Sequence, residues 1–135
     1  VKHLNLTSYE GGKESLKASS GLAGGVCRMG ETCGALVAGI MAIGLAIGSE
    51  KLDDFDTYKA VMNESSKLYE KFERKFNTTR CFEIQRNILG RQYDLNKKED
   101  AAAWIKDGGL ETSPKVCASA ARLAAEIILD IKEKL

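Results

Sequence analysis

The residues of this chain best equipped for chemistry are its four cysteines, Cys27, Cys33, Cys81 and Cys117. A thiolate can attack a disulfide, be oxidised, or bind a soft metal. Spacing separates these options. Structural zinc sites use cysteine pairs two to four residues apart, whereas five residues separate Cys27 from Cys33 and the other two cysteines stand alone. The dense spacing usual for iron–sulfur clusters is missing as well. A metal or cluster, if bound, would have to use Cys27, Cys33, Cys81 and Cys117 as its ligands. Disulfide exchange tolerates any separation, because the fold brings the thiols together; four cysteines allow three connectivities. The single histidine, His3, lies near the N-terminus, so a Cys–His nucleophile pair would depend on it alone. Glu31, two residues before Cys33, is the nearest candidate proton acceptor.

Bulk properties exclude several functions. Twenty Lys and Arg against nineteen Asp and Glu leave a formal charge of +1, which gives no electrostatic footprint for nucleic acid. Aromatic residues make up 7% of the chain and are too scattered for a base-stacking platform. No phosphate loop with its Lys and Ser/Thr is present. The uncharged run from Thr32 to Ser49 is rich in Gly and Ala and falls short of the ~20 strongly apolar residues of a membrane span, so a buried helix is expected there. The first residues, Val1-Lys-His-Leu-Asn, hold no long apolar stretch of the secretory kind. The expected location is the cytoplasm, where disulfides are transient and functional.

The elements that must position the thiols read as helices. Residues 1–20 are polar and form an N-terminal arm, with a short helix from Glu14 to Ser20. Thr32 is a plausible N-cap for a helix over about 33–47, where small residues recur four apart and Leu36, Ile40, Ile43 and Ile47 form an apolar ridge. Asp53 or Asp54 caps a long helix to Phe76. In it Phe55, Tyr58, Met62, Ser65, Tyr69, Phe72 and Phe76 alternate steps of three and four, the spacing of a bundle core or a homodimer seam. Shorter helices follow over 80–89, ended by Gly90, and 101–106, capped by Asp100. Ser113-Pro114 is a start signal for the last helix, which carries Val116, Ala120, Leu123, Ile127, Ile131 and Leu135 on one face. No strand pattern appears. The expected fold is an all-α, compact bundle of about five or six helices in a single domain, 1–135, around the small-residue helix.

On this frame Cys33, Cys81 and Cys117 fall at or near helix starts, where unpaired N–H groups favour a thiolate. Arg28, Arg80 and Lys115 stand beside or near them in sequence. The alternative is that each cysteine serves as a small buried hydrophobe.

The segment Cys33-Gly34-Ala35-Leu36-Val37, with Cys81 and Cys117 further on, resembles the C_GCAxxG_C_C family, named for its cysteine signature and described as redox-active. The resemblance covers about residues 22–131 and departs at Ala38, where the motif has Gly and this chain places it at Gly39. It implies a small redox-associated protein, often linked to membrane transport loci. The combined expectation is thiol–disulfide oxidoreduction by Cys27, Cys33, Cys81 and Cys117, with Cys33 the nucleophile and Cys27 or Cys81 the resolving thiol. Its partner would be a redox protein or a small thiol. A cysteine-ligated metal protein and a helical interaction module remain the other two readings.

Overall fold

A computed structural model describes residues 12–134. These form six α-helices: α1 (Gly12–Ala18), α2 (Gly34–Ile47), α3 (Phe55–Phe76), α4 (Cys81–Leu89), α5 (Lys98–Lys106) and α6 (Gly109–Lys134). Among the described residues the only extended pairing is one antiparallel bridge, Thr32 with Arg80. The all-α expectation holds. Of the N-terminal arm, residues 1–11, His3 included, lie outside the described residues, as does Leu135, and the rest of the arm is mostly α1.

Packing explains why α2 is built of small residues. It lies against both α3 and α6, which also touch each other. Leu36 and Ile43 are fully buried, together with Leu68 and Phe72 of α3, and Ala120 and Ile128 of α6 join them. Gly39 makes the close approach: a Cβ there would stand 2.8 Å from Leu68 Cδ2 and 3.4 Å from the Ala124 methyl. The glycine that the motif places one position earlier thus sits where three helices converge. Each large apolar side chain removed from water in this core contributes about 1.5–3 kcal/mol. No described helix is long and apolar enough to cross a membrane.

Several boundaries and one face differ from the sequence reading, α1 by two residues at each end. Cys33, not Thr32, is the N-cap of α2, because Thr32 is held in the bridge to Arg80. The α5 helix begins at Lys98, so Asp100 stands inside its first turn and takes a hydrogen bond from the Asp94 amide (2.8 Å) and an ion pair from Arg91 (3.1 Å). These interactions, the Asp94 amide first, hold the Asp100 carboxyl below the usual carboxylate range. The last helix starts at Gly109 and runs through Pro114. Gly108, at φ +101°, turns the chain directly out of α5, and Gly109 lies against the Trp104 ring, where a Cβ would approach to 2.0 Å.

The aromatic stripe of α3 is buried over only part of its length. Asp54 does cap the helix, accepting from the Thr57 amide at 3.1 Å. The buried face is Ser65, Leu68 and Phe72, with Phe76 against Phe72 at 4.7 Å between ring centroids. Phe55, Tyr58 and Met62 are exposed. With Gly39 level with Leu68, the first turns of α3 project beyond the end of α2. There Tyr58 and Met62 border a surface recess shared with Leu45, Gly48 and Leu52.

Candidate functional site

The site begins with an irregular segment between α1 and α2. After a 3₁₀ turn over Ser19–Leu22, five consecutive residues adopt left-handed backbone: Gly24, Gly25, Val26, Cys27 and Arg28, with φ between 53° and 74°. Glycine occupies this region freely, but each non-glycine residue there costs of the order of 1–2 kcal/mol. Val26, Cys27 and Arg28 are therefore strained, and hydrogen bonds hold them in place. The amides of Gly30 and Glu31 return to the carbonyls of Gly24 (3.0 Å) and Gly25 (2.9 Å). From the loop before α5, Asn96 Nδ2 donates to the carbonyls of Cys27 (3.3 Å) and Arg28 (3.4 Å).

The chain then leaves this turn extended and pairs with the approach to α4. The Cys33 amide donates to the Thr79 carbonyl (2.8 Å), and the Cys81 amide donates to the Glu31 carbonyl (2.7 Å). Residues next to a bridge on two antiparallel strands project to one side of the ladder. Cys33 and Cys81 stand in those positions, each immediately before or at the start of a helix. This ladder brings together two thiols 48 residues apart in the chain. Two glycines make the approach possible: a Cβ on Gly25 would lie 2.6 Å from Cys81 Cβ, and one on Gly34 would lie 2.2 Å from the Leu22 carbonyl oxygen. The Gly of the Cys-Gly-Ala motif is the point where α2 meets the backbone of the 3₁₀ turn.

Cys117 arrives from the other side. It lies nine residues into α6 rather than in its first turn, so the macrodipole of that helix has faded before reaching it. The thiols of Cys33, Cys81 and Cys117 line one cleft of about 440 Å³. Leu22, Ala35, Ile84, Leu95, Trp104 and Val116 give it a largely apolar wall. Cys33 is only 9% exposed, Cys81 is half-buried and Cys117 is exposed. Cys27 is exposed and lies outside the cleft lining. All four cysteines are free thiols.

Burial reverses the electrostatics expected of helix starts. The Cys81 thiol is pushed up to about 11, first by desolvation and then by repulsion from the thiolates of Cys33 and Cys117. Cys117 is also raised, by desolvation and then by Cys33. Lowered values were expected for both, and desolvation sets the opposite direction. Alkylation of Cys81 by iodoacetamide, followed by peptide mass analysis, should therefore rise about tenfold per pH unit beyond pH ~9.5 and level off only near 11. An unperturbed thiol levels near ~8.5.

Other sequence candidates fall elsewhere. Glu31 does not line the cleft, and its carboxylate pairs with Arg80 at 3.4 Å. Among the described residues no group of three His, Cys, Asp or Glu side chains is placed to hold a metal ion. The sequence reading missed Gln85. Its Oε1 accepts from the buried Tyr93 amide (3.3 Å), which turns its Nε2 toward Cys81 Sγ at 3.9 Å. Nothing in a glutamine codon of α4 announces that role; it depends on the loop that brings Tyr93 back over the helix.

A family model described as "Putative redox-active protein (C_GCAxxG_C_C)" matches residues 4–131. No curated protein and no solved structure matches the chain.

Proposed function

The chain belongs to the C_GCAxxG_C_C family, and from that premise we propose that it is a thiol–disulfide redox protein whose working cysteines are Cys33, Cys81 and Cys117. The observation that carries this reading is the convergence of three thiols, from three different parts of the chain, on one cleft. Cys33 is the most buried of the three, and its charge raises both Cys81 and Cys117. That position suits the attacking thiol, with either of the others able to resolve the mixed disulfide.

The electron balance is simple. A Cys33 thiolate attacks a substrate disulfide R–S–S–R′, forming Cys33–S–S–R and releasing R′–S⁻. A second cleft thiolate attacks the Cys33 sulfur, closing a protein disulfide and releasing R–S⁻. Two electrons pass from two protein thiols to the substrate, and the two thiol protons reprotonate the products. The reverse sequence re-reduces the protein. Where Cys81 is the resolving thiol, it holds its proton to about 11, so that attack waits for its deprotonation and quickens with pH. Cys27, outside the cleft, has no part in this couple.

A thiol count tests the reading. Fully reduced, denatured protein should titrate four thiols. After equilibration with an oxidised dithiol and desalting it should titrate two fewer, and the loss should reverse with dithiothreitol. Four thiols under every condition would overturn it.

A further inference from the structure

The cleft carries information about what enters it, and this inference rests on the redox reading above. Arg28 is the only charged residue among those lining the cleft within the described chain. Its guanidinium forms no ion pair among the described residues, and the nearby carboxylate of Glu31 is engaged by Arg80. Its backbone is fixed by the Asn96 hydrogen bonds to the left-handed turn. The remaining wall is uncharged and largely apolar, and it includes Trp104. Cys33, at 9% exposure, is reached through the cleft, which suits a molecule that fits within a cavity of this volume better than the rigid surface of a folded protein.

We infer that the substrate is a small organic disulfide with an apolar or aromatic body and a carboxylate or similar anionic group, the anion paired with Arg28 and the disulfide presented to Cys33. An anion placed against a guanidinium at the edge of an apolar cleft is attracted more strongly than in open water. Arg28 is a specificity residue, and the exchange itself belongs to the cysteines. The strained turn has a use in this account: left-handed backbone at Val26–Arg28 turns the chain so that Arg28 lines the same cleft as the thiols.

The test uses three disulfides of different charge: 5,5′-dithiobis(2-nitrobenzoate), which is aromatic and anionic; 2,2′-dithiodipyridine, aromatic and neutral; and cystamine, aliphatic and cationic. All are reacted with the full chain carrying Cys27→Ser, so that the exposed thiol next to Arg28 does not contribute. The rate of cleft disulfide formation is compared with and without Arg28→Glu. Charge reversal should slow the anionic probe by about tenfold or more, leave the neutral probe within about twofold, and speed cystamine; 0.5 M salt should shrink these differences. The neutral probe serves as the internal control for folding. If the ratio of anionic to cationic rates is unchanged by Arg28→Glu while the cleft disulfide still forms, the substrate inference is wrong and the redox reading survives. If no probe yields a cleft disulfide, both are wrong.

Discussion

Cys33→Ser is expected to abolish the reversible two-thiol couple, slowing cleft disulfide formation by roughly a thousandfold or more, because a hydroxyl cannot replace the thiolate as nucleophile. Cys27→Ser should leave the couple intact. The expectation for Cys33 follows from its place among the three thiols. It is the one whose charge raises both of the others, and its amide is tied to Thr79 so that the N-cap of α2 and the start of α4 move as a unit. Serine is close in size, but its hydroxyl at a 9% exposed position costs about 1 kcal/mol where no partner is available. The variant should remain folded, and its lost redox behaviour can be read by thiol titration against circular dichroism. Retention of the couple in Cys33→Ser would move the chemistry to Cys81 and Cys117 alone.

The second large effect is structural and has an internal control of opposite sign. Gly34→Ala would place a methyl 2.2 Å from the Leu22 carbonyl oxygen and 2.9 Å from its carbon. Both are backbone atoms that no rotamer change can move. The 3₁₀ turn would have to separate from α2, at a cost of about 2–4 kcal/mol, or roughly 10 °C in Tm for a chain of this size. Gly44 lies in the same helix with nothing within 4 Å of its would-be Cβ. Gly44→Ala should stabilise by about 0.5–1 kcal/mol, because only helix propensity changes. Thermal melts of the two variants therefore ought to shift in opposite directions. Two shifts of the same sign would mean that the contact with Leu22 does not constrain the site.

How much of this was legible in the residues varied with the kind of signal. Two caps written in local chemistry match the structure: Asp54, one of two adjacent candidates, accepts from Thr57, and Gly90 closes α4 at φ +87°. Thr32 and Asp100 do not cap, because the bridge to Arg80 holds the first and the second stands inside α5. The small-residue spacing of α2 also announced a helix that others approach closely, as Gly39 does against Leu68 and Ala124. The start of α6 was misplaced because Ser113-Pro114 is a strong local signal, whereas the true start depends on Gly109 meeting Trp104, a tertiary contact. The stripe of α3 has one periodicity along its whole length, yet Phe72 is buried and Phe55 exposed. Periodicity records which side of a helix is apolar, and it is silent about where a neighbouring helix ends.

The site itself was half visible. That Cys33, Cys81 and Cys117 belong together came from their common nearness to helix starts. The structure unites them for another reason in the case of Cys117, which lies well inside α6. The thiol energetics were read with the wrong sign for Cys81 and Cys117, because sequence shows the helix end and hides the desolvation. The left-handed run through Val26, Cys27 and Arg28 was not foreseen. Gly24, Gly25 and Gly30 around it were the available hint, but nothing local requires a β-branched residue to follow them into that region.

The most direct test of the central claim is to identify the bridge. Reduced protein is oxidised with a small disulfide at neutral pH, free thiols are blocked, and the digest is analysed by mass spectrometry without reduction. The account predicts an intramolecular disulfide joining Cys33 to Cys81 or Cys117, with Cys27 recovered in its blocked form. A bridge formed only through Cys27, or no intramolecular bridge at all, would contradict it.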